Sequence, residues 1–467
     1  MSSHVPLPFV CILPSHLLRS HLTRVTDHRL SRGTADSQGA CQRVGEALPL
    51  AVVVKGARTS LGQGNGIEQL GRTRPIAESS YSKVDHMVKV QSATRHGLRA
   101  TGVCIVCFPY IPSESTGRGI DRYAFEIVRG LERERLHVDI LHGWNRFPNT
   151  LQFVRQTALF CLRALRANNS VYHALDPVGS LPYLLVGKRP LAVTVHDWIA
   201  FSSPAILKPR PARLRFYVTR LLTHLCLTFA SVVFVPFEST RQAIARLHPS
   251  AASRIRVVPY GLSSVKTHEV SSQVQIAPIG GSRNHSSKKL LFIGGGQPIV
   301  RGGLVCLQAL HSLKAQGKSL RLTLVATGPE VSLVRFEAMR LGLLDDVDFA
   351  GPIPEEGLLD YIRGFDVFVY PSALGFSFLV LQAMSVGTPV IVSDDRDMTE
   401  FIGDAGVVCS RDRPNDFVTA IRKLVDDPRY REEMRARALA RAGAFSNTRM
   451  TEKLLHEYSR LDPSSPR

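Results

Sequence analysis

The feature that most restricts what this chain can fold into is a twice-repeated alternation of short apolar runs with amphipathic stretches. From residue 99, GLRATGVCIVCFPYIP reads as a buried strand, TGRGIDRYAFEIVRGLERER as a glycine loop and helix, and LHVDIL as the next strand. Further strands are expected at Ser170–His173, Leu191–His196, Ser231–Pro236 and Arg256–Pro259. A second series places strands at Lys289–Ile293, Arg321–Ala326, Val347–Ala350, Val367–Pro371 and Pro389–Ser393, with a helix opening near Ser377. Strands that are apolar throughout and alternate with helices need cover on both faces, so the fold class is α/β, with two doubly wound parallel sheets.

A chain of 467 residues is too long for one ordinary core. The expected division is a first Rossmann-like domain at 96–265, a polar, aperiodic linker at 266–288, a second Rossmann-like domain at 289–445, and a helix and tail at 446–467. The last segment carries basic residues on its polar face and reads as a solvated surface helix. Residues 1–95 are weakly periodic and rich in Ser, Arg, His and Gly, which fits a disordered extension. A natural start at Met87, with residues 1–86 coming from an over-extended reading frame, fits equally. Gly62, Gly64 and Gly66 follow an apolar run, but the spacing is GxGxG and no amphipathic helix follows, so they read as a loop.

Composition narrows the partners. Lys and Arg number 58 against 39 Asp and Glu, a formal charge of +19 that asks for an anionic partner or surface. The cations are scattered, and neither zinc-finger spacing nor an RNA-binding sheet signature accompanies them, so nucleic acid is not expected. A nucleotide or a lipid headgroup remains. The eight cysteines sit mostly in apolar runs, and Cys104 and Cys107 form a CxxC with no second pair, which suits buried thiols in a reducing, cytoplasmic setting. No apolar stretch reaches ~18 residues, and the opening PLPFVCILP lacks the basic residues of a signal peptide.

In open parallel sheets, ligands collect beyond the carboxyl ends of the strands, where helix N-termini expose unpaired N–H groups. Three glycine loops occupy such places: Thr116–Gly119, with Gly117, Arg118 and Gly119; Gly294–Gly303, with Gly295 and Gly296; and Leu374–Ser377, with Gly375, Phe376 and Ser377. Glycine lets backbone approach a phosphate closely, so a pyrophosphate is the natural guest, and Arg301 can add a charge-assisted contact. His196 and Asp197 in VTVHDW lie at an expected strand end. A structural histidine and a polar cleft residue both fit there, and His173 is a weaker candidate of the same kind.

The order of these motifs resembles the family-four glycosyltransferases, the retaining members of the GT-B fold, from about Cys104 to Phe445. STGRGIDRYAFEIVRGL looks like the family's amino-terminal glycine loop, YHALDP and VTVHDWIAF like its acceptor-side segments, and VVPYGL like the segment closing the first domain. The strongest match runs from VDFAGPIPEEGLLDYIRGFDVFVYPSALGFSFLVLQAMSVGTPVIVSD to MTEFIGDAG. The resemblance implies two Rossmann-like domains facing a cleft. It implies metal-independent, retaining transfer of a hexosyl group from a nucleotide-diphosphate sugar to a glycan or lipid-linked acceptor, without a cofactor. Surface polysaccharide or glycoconjugate assembly is the implied setting.

The same resemblance assigns His196 and Arg301 to catalysis. Gly117, Arg118, Gly119, Asp197, Gly295, Gly296, Gly375, Phe376, Ser377, Gln382 and Glu400 are assigned to substrate binding; a helix cap would also account for Glu400. Where the family has two glutamates, this chain has Leu374 and Gln382, and the loop expected to end Arg-Lys-Gly reads Arg301-Gly302-Gly303, which puts Gly302 at the lysine. Those departures leave a second reading, a catalytically degenerate homologue acting as a nucleotide-sugar-binding or partner subunit. The basic stretch at 207–222, with Arg213 and Arg220, suits either a helix packed on its own domain or peripheral contact with an anionic membrane surface, on its inner face.

Overall fold

A computed structural model describes residues 102–107, 119–142, 150–196, 210–263, 287–373 and 375–462, all within one compact unit. The early glycine cluster, Met87, Gly117, Arg118, Asp197, the linker from 264 to 286 and Leu374 lie outside the described residues.

Two six-stranded sheets, every pairing in them parallel, form the framework. The first contains β1 (Val103–Cys107), β2 (Val138–His142), β3 (Val171–Ala174), β4 (Leu191–Thr194), β5 (Val232–Val235) and β6 (Ile255–Val257), in the order β2-β1-β3-β4-β5-β6. The second contains β7 (Lys288–Gly295), β8 (Leu320–Ala326), β9 (Val347–Ala350), β10 (Val367–Tyr370), β11 (Val390–Ser393) and β12 (Val407–Cys409), in the order β12-β11-β10-β7-β8-β9. Strands β3, β4, β5, β10 and β11 are buried along their whole length, which is why they read as unbroken apolar runs. The edge strand β12 has three residues and an exposed centre, so its pattern was too short to anticipate.

Strand order reverses between β1 and β3 in the first sheet and between β7 and β10 in the second. Such a switch point opens a crevice at the carboxyl ends of the strands. In the second sheet the crevice is bordered by the loop after β7 and by residues 371–373 and 375–377 after β10.

Helices cover the sheets with periodic apolar faces. Helix α1 (Gly119–Arg133) buries Tyr123, Ala124, Ile127, Val128 and Leu131 at helical spacing. Then come α2 (Thr150–Arg166), α3 (Leu181–Leu185), α4 (Arg210–Phe229) and α5 (Glu238–Leu247). The second domain carries α6 (Gly303–Ala315), α7 (Glu330–Arg340), α8 (Glu355–Arg363), α9 (Phe378–Ser385), α10 (Arg396–Ile402), α11 (Pro414–Asp426) and α12 (Pro428–Gly443).

The last helix, α13 (Asn447–Leu461), corrects the expectation of a solvated surface helix. It buries Met450, Leu454, Leu455 and Tyr458 and packs on α1 of the first domain. Close approach is possible because Gly130 faces it: a Cβ there would stand 2.0 Å from Thr451 Oγ1. The chain thus returns to the first domain through Leu262, whose N–H donates to Phe445 O at 2.9 Å and whose carbonyl accepts from Asn447 N at 2.8 Å.

Candidate functional site

The loop after β7 is held from both sides. Ala373 N donates to Val300 O at 3.1 Å and Thr327 N to Gly295 O at 2.8 Å, so the loops after β7, β8 and β10 are tied together. Arg301 donates through Nη1 to the Tyr370 hydroxyl at the end of β10, with its guanidinium 5.9 Å from that ring's centroid. A cation therefore sits at the switch point beside Gly295 and Gly296, and a Cβ at either glycine would meet open space.

Gly302 requires a correction. Its φ is +93°, and a Cβ there would stand 2.3 Å from Pro371 O and 2.6 Å from Pro371 Cγ. No lysine fits that backbone. The loop's cation is Arg301, and Gly302 is the residue that lets the two loops touch.

The third loop passes into α9. Ser377 Oγ accepts from Leu379 N at 3.3 Å, so the side chain expected to bind substrate caps the helix instead. A Cβ on Gly375 would lie 3.3 Å from Asp395 Oδ1, the carboxylate that caps α10. Phe376 stacks on Tyr260 at 4.4 Å and meets Phe237, Phe378 and Phe401, an aromatic cluster that joins the domains.

Gln382, 5% exposed on the second turn of α9, donates from Nε2 to Glu355 Oε1 at 2.9 Å. The same oxygen accepts from Arg122 Nη1 at 2.5 Å across the cleft, and Arg122 Nε donates to Glu126 Oε1 at 2.9 Å. Arg122, Glu126 and Glu355 were not anticipated. In the sequence they read as surface charges of helical turns, and only the tertiary fold assembles them.

Glu400 lies in a cap between the domains. Its two oxygens accept from Glu238 N at 2.8 Å and Ser239 N at 2.7 Å, at the N-terminus of α5. Asp397 beside it accepts from Ser239 Oγ at 2.6 Å and from Thr240 Oγ1, and burial pushes its carboxyl above the usual range.

On the first domain, His196 lies two residues beyond β4 with both ring nitrogens engaged. Nε2 faces Leu175 O at 2.7 Å and must donate; Nδ1 therefore accepts from the Tyr260 hydroxyl at 2.9 Å. Burial lowers its pKa to about 4, so the ring is neutral, and its catalytic assignment requires one of these bonds to open. His173 is fully buried, with Nδ1 2.6 Å from the Tyr458 hydroxyl and Nε2 2.8 Å from Thr194 Oγ1. Burial, with the nearby His196, lowers it to about 3. It holds α13 to the sheet. Asp176, after β3, accepts from Gly179 N at 2.6 Å, and burial raises it to about 7.

A cavity of about 320 Å³ opens elsewhere, between Tyr260, Glu400, Phe445 and the cations Arg441, Arg449 and Lys453. No glycine-loop residue lines it. It lies where the chain crosses between domains rather than at the switch point.

Two Rossmann-like domains with switch-point loops, joined by a returning terminal helix, define a GT-B protein. The family model for glycosyl transferases group 1 matches residues 287–427, which is β7 through α11. The O-antigen chain mannosyltransferase B of Escherichia coli is 28% identical over 73% of this chain and 96% of its own length. A D-inositol 3-phosphate glycosyltransferase of Nocardia farcinica is 25% identical over 58% of this chain and 61% of its own. Among solved structures, sucrose-phosphate synthase of Thermosynechococcus elongatus superposes with a TM-score of 0.63 at 17% identity, covering 77% of this chain and 99% of that one. HepE of Anabaena, in complex with UDP-glucose, gives 0.59 at 17% identity over 77% and 100%. The second domain of the chain thus matches the group 1 glycosyltransferases.

Two predictions follow from this geometry. Gly302→Lys adds no useful cation and destabilises the fold by about 1–3 kcal/mol, seen as a lower Tm, because the loop must part from Pro371. The second concerns pH. The folded pKa of His173 lies below the unfolded value near 6.5, so the unfolded chain binds more protons as pH falls through 6.5 towards 3. Its stabilising contribution is present above 6.5 and lost below. Asp176 has the opposite sign, losing stability as pH rises towards 7. Urea unfolding of the natural protein and His173→Gln at pH 7 and 4.5 cancels Asp176, and the variant loses less stability on acidification.

Proposed function

We propose that this glycosyltransferase moves a hexosyl group, with retention and without a metal or other cofactor, from a nucleotide-diphosphate sugar to a glycan or lipid-linked acceptor in surface polysaccharide or glycoconjugate assembly. The observation that carries the reading is Arg301, held on Tyr370 at the β7/β10 switch point beside open glycine backbone. An anionic diphosphate suits that place. The HepE neighbour, solved with UDP-glucose, supports a nucleotide-sugar donor, and the mannosyltransferase relative supports a polysaccharide setting.

In the proposed step the sugar's C1–O bond to the diphosphate breaks while a bond from C1 to the acceptor oxygen forms on the same face. The acceptor's proton passes to the departing phosphate oxygen, so no protein base is needed. Arg301 stabilises the charge that grows on the diphosphate.

The acceptor domain also presents a face suited to an anionic bilayer. Helices α2 and α4 contain no Asp or Glu, and α3 packs against both. Leu162, Leu165 and Leu221 are 53%, 55% and 57% exposed on them, beside the exposed cations Arg163, Arg166 and Arg220. Apolar side chains flanked by cations insert at a headgroup boundary. No described helix is long and apolar enough to cross a membrane, so we propose peripheral contact, on the cytoplasmic side where nucleotide sugars are made.

A panel of nucleotide sugars assayed for hydrolysis and transfer, with binding by calorimetry, tests the donor reading. Turnover is expected, and Arg301→Met lowers kcat by about 10²–10³. Donor binding without turnover would make the chain a degenerate binding subunit, and absence of binding would end the donor-site assignment. Cosedimentation with vesicles tests the membrane face: binding to phosphatidylglycerol vesicles but not to phosphatidylcholine ones, reduced by Leu162→Ser with Arg220→Glu, is expected.

A further inference from the structure

We propose that the cavity of about 320 Å³ where the chain crosses between the domains binds a small phosphate ester, its phosphate on Arg441, Arg449 and Lys453 and its organic part on a floor of aromatic rings. The site is separate from the β7/β10 crevice and does not rest on the donor reading. Its size falls within the ~300–1,000 Å³ of small-molecule sites. Phe237 and Tyr260 of the first domain, Phe445 at the end of the second and Met450 of α13 supply the floor, and all four are buried.

The charges around that floor are unbalanced. Glu400 is the one carboxylate in the lining, and both its oxygens are taken by Glu238 N and Ser239 N. Arg441 donates from Nε to Phe401 O at 2.8 Å and from Nη2 to Glu400 O at 2.7 Å, which fixes the guanidinium and leaves Nη1 without an acceptor among the described residues. Arg449 and Lys453 are exposed, and among the described residues their side chains make no hydrogen bond or ion pair. They stand four residues apart on α13 and so share a face, where like charges repel. Arg449 also sits in the first turn of a helix that has no acidic residue there, next to the positive end of the dipole. Three cations lining one cavity lower stability unless an anion answers them, and a phosphate dianion does so with charge-assisted hydrogen bonds. A bare phosphate would leave the rings uncovered, whereas an ester with a ring-sized apolar body satisfies both parts of the lining. Because that lining comes from both domains and from α13, the ligand binds only where they are packed together, and occupancy stabilises that packing.

Calorimetry and thermal unfolding of the full chain with phenyl phosphate and with inorganic phosphate test this. Phenyl phosphate should bind about 10-fold or more tightly than inorganic phosphate, raise Tm, and bind equally well to Arg301→Met, where the change lies in the crevice. Arg449→Gln with Lys453→Gln should weaken it by about 10-fold or more, while the ligand-free Tm stays equal or rises because two repelling cations are gone. Vesicles of phosphatidic acid in phosphatidylcholine separate the two sources of such an ester. Sedimentation that phenyl phosphate cancels and the double variant lacks assigns the site to a lipid headgroup; phenyl phosphate binding without it assigns the site to a soluble ester. Failure to bind phenyl phosphate, binding lost with Arg301→Met, binding unchanged in the double variant, or a lower ligand-free Tm in that variant overturns the proposal.

Discussion

The arrangement of the whole molecule depends on one buried carboxylate. Glu126, on α1, is fully buried and accepts four hydrogen bonds: from Arg122 Nε at 2.9 Å, Ser263 N at 2.7 Å, Ser263 Oγ at 2.5 Å and Asn447 Nδ2 at 3.0 Å. A buried charge is tolerated only when paired and fully hydrogen-bonded, and leaving its partners unpaired costs on the order of 3–5 kcal/mol. These partners come from the end of the first domain, from the terminal helix after the second, and from the arginine that reaches Glu355 of the second domain. One side chain thus fixes where the chain leaves the first domain, where it returns, and how Arg122 faces the cleft.

A second set of contacts closes the other flank. The unpaired N–H groups at the start of α5 are satisfied by Glu400 from the opposite domain, and Arg441 in turn donates to Glu400 O and Phe401 O at the end of α10. Between the flanks, His196 and Phe376 both stack on Tyr260, and Phe401 meets Phe376 edge to face, so a continuous run of packed rings links the first sheet to the third glycine loop. The domains meet through groups that would each be unsatisfied or exposed if they parted.

Much of this was legible in the chain. Apart from β12, the strands fell close to their expected places because parallel strands buried on both faces are mostly apolar, a signal that survives without tertiary context. The glycine loops could be placed at strand ends for the same reason. The register of the Arg301-Gly302-Gly303 loop could not, because what forbids a side chain at Gly302 is the carbonyl of Pro371, distant in sequence. The Glu126 hub joins residues 137 and 321 positions apart, and no local pattern marks it. Glu355 looks like any acid in the first turn of a helix. His196 carried a sequence signal, but its two hydrogen bonds are set by Leu175 and Tyr260, which no spacing rule links to it.

The hub and the crevice are not independent. Arg122 has one carboxylate in its own domain, Glu126, and one in the other, Glu355, so its guanidinium bridges the two domains at α8. Glu126 is satisfied by three further donors; among the described residues Glu355 has only Gln382 besides. The Arg122–Glu126 pair lies within one helix, whereas the Arg122–Glu355 pair holds only while the two domains are in contact. The physical asymmetry between a carboxylate with four donors and one with two ties the surroundings of Gln382 in the second domain to the position of α1 in the first.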